Sequence, residues 1–188
     1  MTDKSPVTEP AYVGLDVSLT ATGFSMKRGN ELTMQTVKTT PRTRPNDLER
    51  LRHIRESLMA LVPDSTRMVC VEDFFVPHKP SQMGAAKGLI MAGTLVRVAL
   101  LERGMPFYVV SPSQIKKYAT GKGNGPKSLV VREVYKRWGV DARDDNQADA
   151  CVLAHMAEAI HRGADGLHKY QQDVVKKVLA ERPSYNVG

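Results

Sequence analysis

The sequence is short of several things, and each absence closes off a class of protein. It has only two cysteines, Cys70 and Cys151, in 188 residues. Two are too few for a disulfide framework, and both sit inside apolar segments that read as core, so a reducing compartment is expected. No cluster of His and Cys stands at metal-ligand spacing, which argues against a zinc centre. The N-terminus, MTDKSPVTEP, lacks the apolar stretch of a signal peptide. The longest apolar run, GLIMAGTLVRVALL, carries Arg97 and falls short of a membrane span. A cytoplasmic location is the expectation. No internal repeat is visible.

What is present is a globular composition with a basic bias. Hydrophobic residues make up 41% and charged residues 25%, and the net charge is +7. That balance favours a polyanionic partner, most often nucleic acid. The length fits one core. Residues 1–10 read as a loose tail, 11–163 as the domain, and 164–188 as a C-terminal helix and tail. YVGLDV, TGFSMKR and ELTMQTVK read as three strands, the last two joined by a tight turn at Gly29-Asn30. Leu48, Leu51, Ile54, Leu58 and Leu61 recur at helical spacing before Pro63. MVCVE (68–72) and PFYVV (106–110) read as buried strands, separated by a long apolar helix over 84–103. Ser111-Pro112-Ser113-Gln114 is a capping box that opens a short helix. Helices are expected over 127–138 and 145–162, the second closed by Gly163, and another near Val174–Leu179. The order predicts an α/β fold with a mixed five-stranded sheet flanked by helices, and it matches the ribonuclease H-like arrangement.

Three carboxylates stand where elements leave the core. Asp16 ends YVGLD, Glu72 ends MVCVE, and Asp149 lies near the start of the helix opened by RDDNQADA (143–150). If the first and fourth strands are neighbours, these ends converge, and the carboxylates repel one another unless a divalent cation lies between them. All-oxygen ligands suit Mg²⁺, with Mn²⁺ as a substitute. A basic protein with an acidic metal pocket points to two-metal phosphodiester chemistry. Each residue also has a plainer explanation. Asp16 could be a turn residue, Glu72 a solvated strand end, and Asp149 a partner of Arg143 or Lys136.

The segments GLDVSLTATG (14–23), VCVEDFFVPHKPSQMGAAKG (70–88), PFYVVSPSQIKKYATGKGNGPKS (106–128) and NQADACVLAH (146–155) resemble, in collinear order over residues 12–162, the RuvC family of Holliday junction resolvases, including its phage-borne members. The resemblance implies that Asp16, Glu72 and Asp149 bind Mg²⁺ ions that activate water and stabilise the leaving oxygen. It also implies that Phe75 stacks near unpaired bases of the junction, and that Lys116 and Lys127 contact the region of the scissile phosphate. The helix over 84–103 is implied to form a two-fold homodimer, and the location becomes a bacterial or phage-infected cytoplasm. One departure is clear: where the family places an acidic residue three positions before the last aspartate, this sequence has Asn146. Asp145, one turn before Asp149, is taken as the fourth acidic ligand, with Asn146 offering a neutral oxygen and Asp144 a helix cap.

Read from the residues alone, Phe74 and Phe75 at a strand exit point opposite ways, Phe74 inward and Phe75 out. Lys116, Lys117, Lys122 and Lys127 surround a glycine-rich loop that can approach phosphates closely. Lys79 and Lys87, near the start of the long helix, are counted with them as DNA contacts. The expected function is a Mg²⁺-dependent endonuclease that resolves four-way DNA junctions by paired nicks. The alternatives are a broader branched or flap DNA nuclease, a catalytically inactive junction-binding protein, and an actin-like ATPase. The last needs a second subdomain for which 188 residues leave no room.

Overall fold

A computed structural model describes residues 9–74, 76 and 79–181. Five strands, β1 (Ala11–Asp16), β2 (Ala21–Arg28), β3 (Glu31–Lys38), β4 (Thr66–Glu72) and β5 (Phe107–Val110), form one sheet in the order β3-β2-β1-β4-β5. β1 to β3 are an antiparallel meander turned at Gly29, whose φ of 55° suits the residue without a Cβ. β4 and β5 run parallel to β1. The first and fourth strands are therefore neighbours, as the sequence reading required, and the fold is the expected ribonuclease H-like mixed sheet flanked by helices.

Period-two alternation splits the core into two layers. Val13, Leu15, Val69, Val71, Phe107 and Val109 pack with α1 (Asp47–Leu61) and α2 (Pro80–Glu102) on one face. Tyr12, Met68, Cys70, Tyr108 and Val110 pack on the other face, where α3 (Pro112–Thr120), α4 (Lys127–Trp138), α5 (Asp145–Arg162) and α6 (Lys169–Glu181) lie. Both cysteines are buried and free. α2 begins at Pro80 rather than Gly84, because proline at the first helical position adds a turn the apolar pattern does not reveal. The capping box of α3 forms as expected: the Ser111 hydroxyl accepts from Gln114 N, and Gln114 Oε1 accepts from Ser111 N at 2.8 Å. The described residues include no helix long and apolar enough to cross a membrane.

Candidate active site

The alternation that builds the core also aims the acids. On β1, Tyr12, Gly14 and Asp16 share the α5 face; on β4, Met68, Cys70 and Glu72 do. Leu15 pairs with Val71 across the two parallel strands, so Asp16 and Glu72 are one rung further along, side by side at the carboxyl end of the sheet. Two glycines let α5 settle onto them. A Cβ on Gly14 would lie 2.0 Å from Ala150 O, and one on Gly23 would lie 2.1 Å from Asn146 O. Gly23 is also the residue paired with Asp16. Only bare backbone at both positions lets the first turns of α5 bring Asp149 over the strand ends.

The electrostatics of the cluster follow from burial and mutual repulsion. Asp16 is only 8% exposed, and burial together with Glu72 holds it well above the usual carboxylate range. Burial also raises Glu72, while its hydrogen bond to Asp16 works the other way, so the pair together holds a proton more tightly than free carboxylates do. Asp149 is pushed up to about 7, first by burial and then by the charge of Asp16. It forms no ion pair with Arg143 or Lys136 among the described residues, so the plainer explanation for it fails. Among the described residues no three such acids already close around one ion position. Three crowded carboxylates, Asp16 buried and Glu72 and Asp149 half-buried, are the donor chemistry a hard divalent ion takes.

Two lysines from the opposite edge of the sheet meet this cluster. Lys127 Nζ is 2.5 Å from Asp145 Oδ2; the pairing raises Lys127 and lowers Asp145. Lys127 also acts on Asp16, Glu72 and Asp149, and Lys116 acts on Glu72 and Asp149. The structure thus brings together Asp16, Glu72, Asp145, Asp149, Lys116 and Lys127. Asn146 is half-buried, its backbone packed on Gly23. Lys117, whose charge acts on Asp173 of α6, is exposed, as is Lys122 on the loop after α3. Lys79, the N-cap of α2, and Lys87, in its first turns, are exposed. Phe75 lies outside the described residues. Phe74 is half-buried against α2, where a Cβ on Gly93 would meet its ring at 2.6 Å, and the Arg97 guanidinium covers it at 4.3 Å.

Sequence reasoning missed the residues that hold the frame. Arg97 donates to Glu72 O at 3.2 Å and to Asp73 Oδ1 at 3.0 Å, anchoring the exit of β4. Its signal was a lone charge inside an apolar helix. Arg50, buried, donates to Leu19 O, Thr39 Oγ1 and Asp47 Oδ1, pinning the turn after Asp16 to the end of β3. Asp144 is the N-cap of α5, as expected, accepting from Gln147 N at 2.8 Å. It also accepts from Thr36 Oγ1 at 2.9 Å, and Gln147 Nε2 donates to Thr36 Oγ1 at 3.0 Å. That ring ties the start of α5 to β3, and nothing in the local sequence around either member announces it.

With this geometry in place, comparisons with known proteins agree with one another. The family model for crossover junction endodeoxyribonuclease RuvC matches residues 12–157. Among curated proteins, the Rhodococcus opacus crossover junction endodeoxyribonuclease RuvC is 29% identical over 177 residues, covering 85% of this chain and 92% of that protein. The Nocardia farcinica protein of the same name is 27% identical over 198 residues, covering 90% and 98%. Among solved structures, Thermus thermophilus RuvC in complex with a Holliday junction substrate superimposes with a TM-score of 0.64 at 26% identity, covering 80% of this chain and 95% of that one. A second Thermus thermophilus RuvC structure gives 0.59 at 26% identity, covering 77% of this chain and 90% of that one.

Proposed function

This chain belongs to the RuvC family of crossover junction endodeoxyribonucleases, and from that premise we propose that it resolves four-way DNA junctions with Mg²⁺, as a homodimer that makes paired nicks in recombination and repair intermediates. The observation that carries the reading is the cluster of buried Asp16 with half-buried Glu72 and Asp149, three carboxylates with raised proton affinity and, among the described residues, Lys116 and Lys127 as the flanking cations. A divalent ion bound there would supply charge neutralisation and an activated water for in-line attack on phosphorus.

The side chains have separable tasks. Asp16, Glu72 and Asp149 are the oxygen ligands, and their raised proton affinity means that binding an ion there competes with protonation. Lys127, held by Asp145, and Lys116 stand where a phosphate approaching the acids gains compensating charge, which matters most when that charge rises in the transition state. Asp145 is at once the candidate fourth acid and the residue that orients Lys127. Asn146 offers one neutral oxygen. Phe75 is assigned to stacking on junction bases by resemblance. Lys79, Lys87, Lys117 and Lys122 are assigned to the DNA backbone on the strength of their exposure.

Dimerisation through α2 is supported by an apolar groove of about 600 Å³ between α1 and α2. It is lined by Leu48, Leu51, Ile90, Met91, Leu95 and Val98, with Leu48 67% and Val98 43% exposed. A two-fold partner on that face would present two carboxylate clusters to one junction. The test is cleavage of end-labelled four-way junction, flap and duplex DNA with Mg²⁺ and with EDTA. Paired, Mg²⁺-dependent nicks confined to the junction are expected. Equal cutting of flaps would favour the broader nuclease, and tight junction binding without cutting would favour an inactive junction-binding protein.

A further inference from the structure

The cations of this protein are not spread evenly between paired and free. On the α1/α2 side the arginines are taken: Arg55 by Glu102 at 2.7 Å, Arg97 by Asp73 at 3.0 Å and Arg103 by Asp64 at 2.6 Å. At the outer end of β3 the pattern reverses. Lys38, Arg42 and Arg143 are all exposed and make no side-chain hydrogen bond or ion pair among the described residues, and Arg44 meets only His53 Nδ1, at 3.2 Å. Lys38 and Arg143 line one polar cleft of about 460 Å³ together with Gln35, Thr36 and Gln147.

Topology puts this cleft beside the carboxylates. Lys38 pairs with Ala21 in the β2–β3 register, so the end of β3 returns to the edge of the sheet where β1 ends at Asp16. Thr39 N donates to Thr20 O at 2.9 Å, fastening the loop that carries Arg42 and Arg44 to the turn just after Asp16. The other wall is the start of α5, one turn from Asp145 and Asp149. In the sheet order β3-β2-β1-β4-β5, the acids sit at the centre, and Lys116 and Lys127 come from elements that follow the β5 edge. The free cations of the β3 edge are the missing opposite bank. β3 stands two strand spacings from β1, roughly 10 Å, or about three nucleotides along one DNA strand.

We propose that Lys38 and Arg143, extended by Arg42 and Arg44, grip the sugar–phosphate backbone of a duplex arm about three nucleotides from the phosphate that is cut. This rests on the reading of DNA as the substrate. Gln35 and the Thr36–Asp144–Gln147 ring supply the cleft's polar wall and fix its two sides relative to the metal-bearing helix. The grip carries no base information; it sets which arm lies across the carboxylates and in what register.

The test is the salt dependence of junction binding, by fluorescence anisotropy in EDTA, for the wild type, Lys38→Ala/Arg143→Ala, Arg42→Ala/Arg44→Ala and Arg67→Ala. Arg67 is an exposed cation at the start of β4, the far end of the sheet. Each lost phosphate contact lowers the slope of log affinity against log salt by about 0.9, so Lys38→Ala/Arg143→Ala should lose about 1.8. The loop pair should lose a similar amount or less, and Arg67→Ala nothing. A neutral methylphosphonate placed about three nucleotides from the cut should weaken the wild type and leave the Lys38→Ala/Arg143→Ala variant unaffected. Unchanged slopes in both double variants, with normal junction cutting by the wild type, would overturn the grip and leave the proposed function standing. A wild type that binds branched DNA but cuts none would instead sink the function, while the slopes would still decide the grip. A wild type that binds no DNA would sink both.

Discussion

The two ends of α5 carry charge in opposite ways. At its last turns Glu158 is shared between Lys27, at 2.8 Å, and Arg162, at 3.7 Å, while Tyr12 OH lies 3.1 Å from His161 Nδ1 and accepts from Arg162 Nε at 3.0 Å. Every charge there has its partner within the protein. At its first turns Asp149 joins Asp16 and Glu72 with no salt bridge to any of the three among the described residues, and all are held towards the neutral form. A cavity of about 610 Å³, lined by Trp138, His155 and Arg162 among others, lies at the closed end, so a hollow alone does not mark the open one. Charge left uncompensated does. A charge cluster that closes on itself stabilises the fold; one left open is built to be completed from outside.

The sharpest way to break the contrast is to mutate each end. Asp16→Asn or Asp149→Asn should lower junction cleavage by about 1000-fold or more, since several kcal/mol of transition-state stabilisation is lost. Glu158→Gln should leave cleavage within a few fold and cost about 1–3 kcal/mol of stability, read by urea unfolding. A Glu158→Gln variant as inactive as Asp149→Asn would erase the distinction.

The pH dependence of stability should differ in the same sense. The folded protein holds the proton of Asp149 up to about 7, whereas the unfolded chain releases it near 4. The folded state therefore binds more protons in that window, and metal-free stability must fall as pH rises through it, by up to about 4 kcal/mol. Melting temperatures in EDTA should decline from pH 4 towards pH 7, and millimolar Mg²⁺ should reverse the decline. A shallower decline in Asp149→Asn, with the remainder supplied by Asp16 and Glu72, would sharpen the assignment; a flat profile in the wild type would remove it.

Gly14→Ala tests the approach of helix to strand. A Cβ 2.0 Å from Ala150 O cannot be accommodated without moving α5, so we expect a loss of about 3 kcal/mol together with reduced cleavage. Smaller effects come from the rim. Lys127→Ala should slow cleavage about 100-fold, more than it weakens binding, and Asp145→Asn about 10-fold if its chief task is to orient Lys127. Asp145→Asn as dead as Asp149→Asn would make it a ligand in its own right.

Much of the fold was legible because its signals are periodic. Short apolar runs placed β1 and β4, helical spacing placed α1, and Gly163 closed α5 at the expected residue. The acids could be read because each ends an element, and element ends are where a chain leaves its core. Residues that act across the sequence were not. Arg50 reaches Leu19, Arg97 reaches Glu72 O, and Gln147 reaches Thr36 across 111 positions, and such pairings have no local pattern. Glycine was visible as a letter, but its role at Gly14 and Gly23 depends on which helix lies over it, which only the packed fold reveals. The start of α2 was placed late because Pro80 opens the helix before its apolar stripe begins.

The central claim, that the first turns of α5 complete an open cation site, is tested most directly by calorimetric titration of the metal-free protein with Mn²⁺ near pH 6.5, in two buffers of different ionisation enthalpy. Binding that releases at least one proton per protomer in the wild type, and neither binding nor release in Asp16→Asn, is the predicted result. Wild-type binding without proton release, or Asp16→Asn binding as the wild type does, would contradict it.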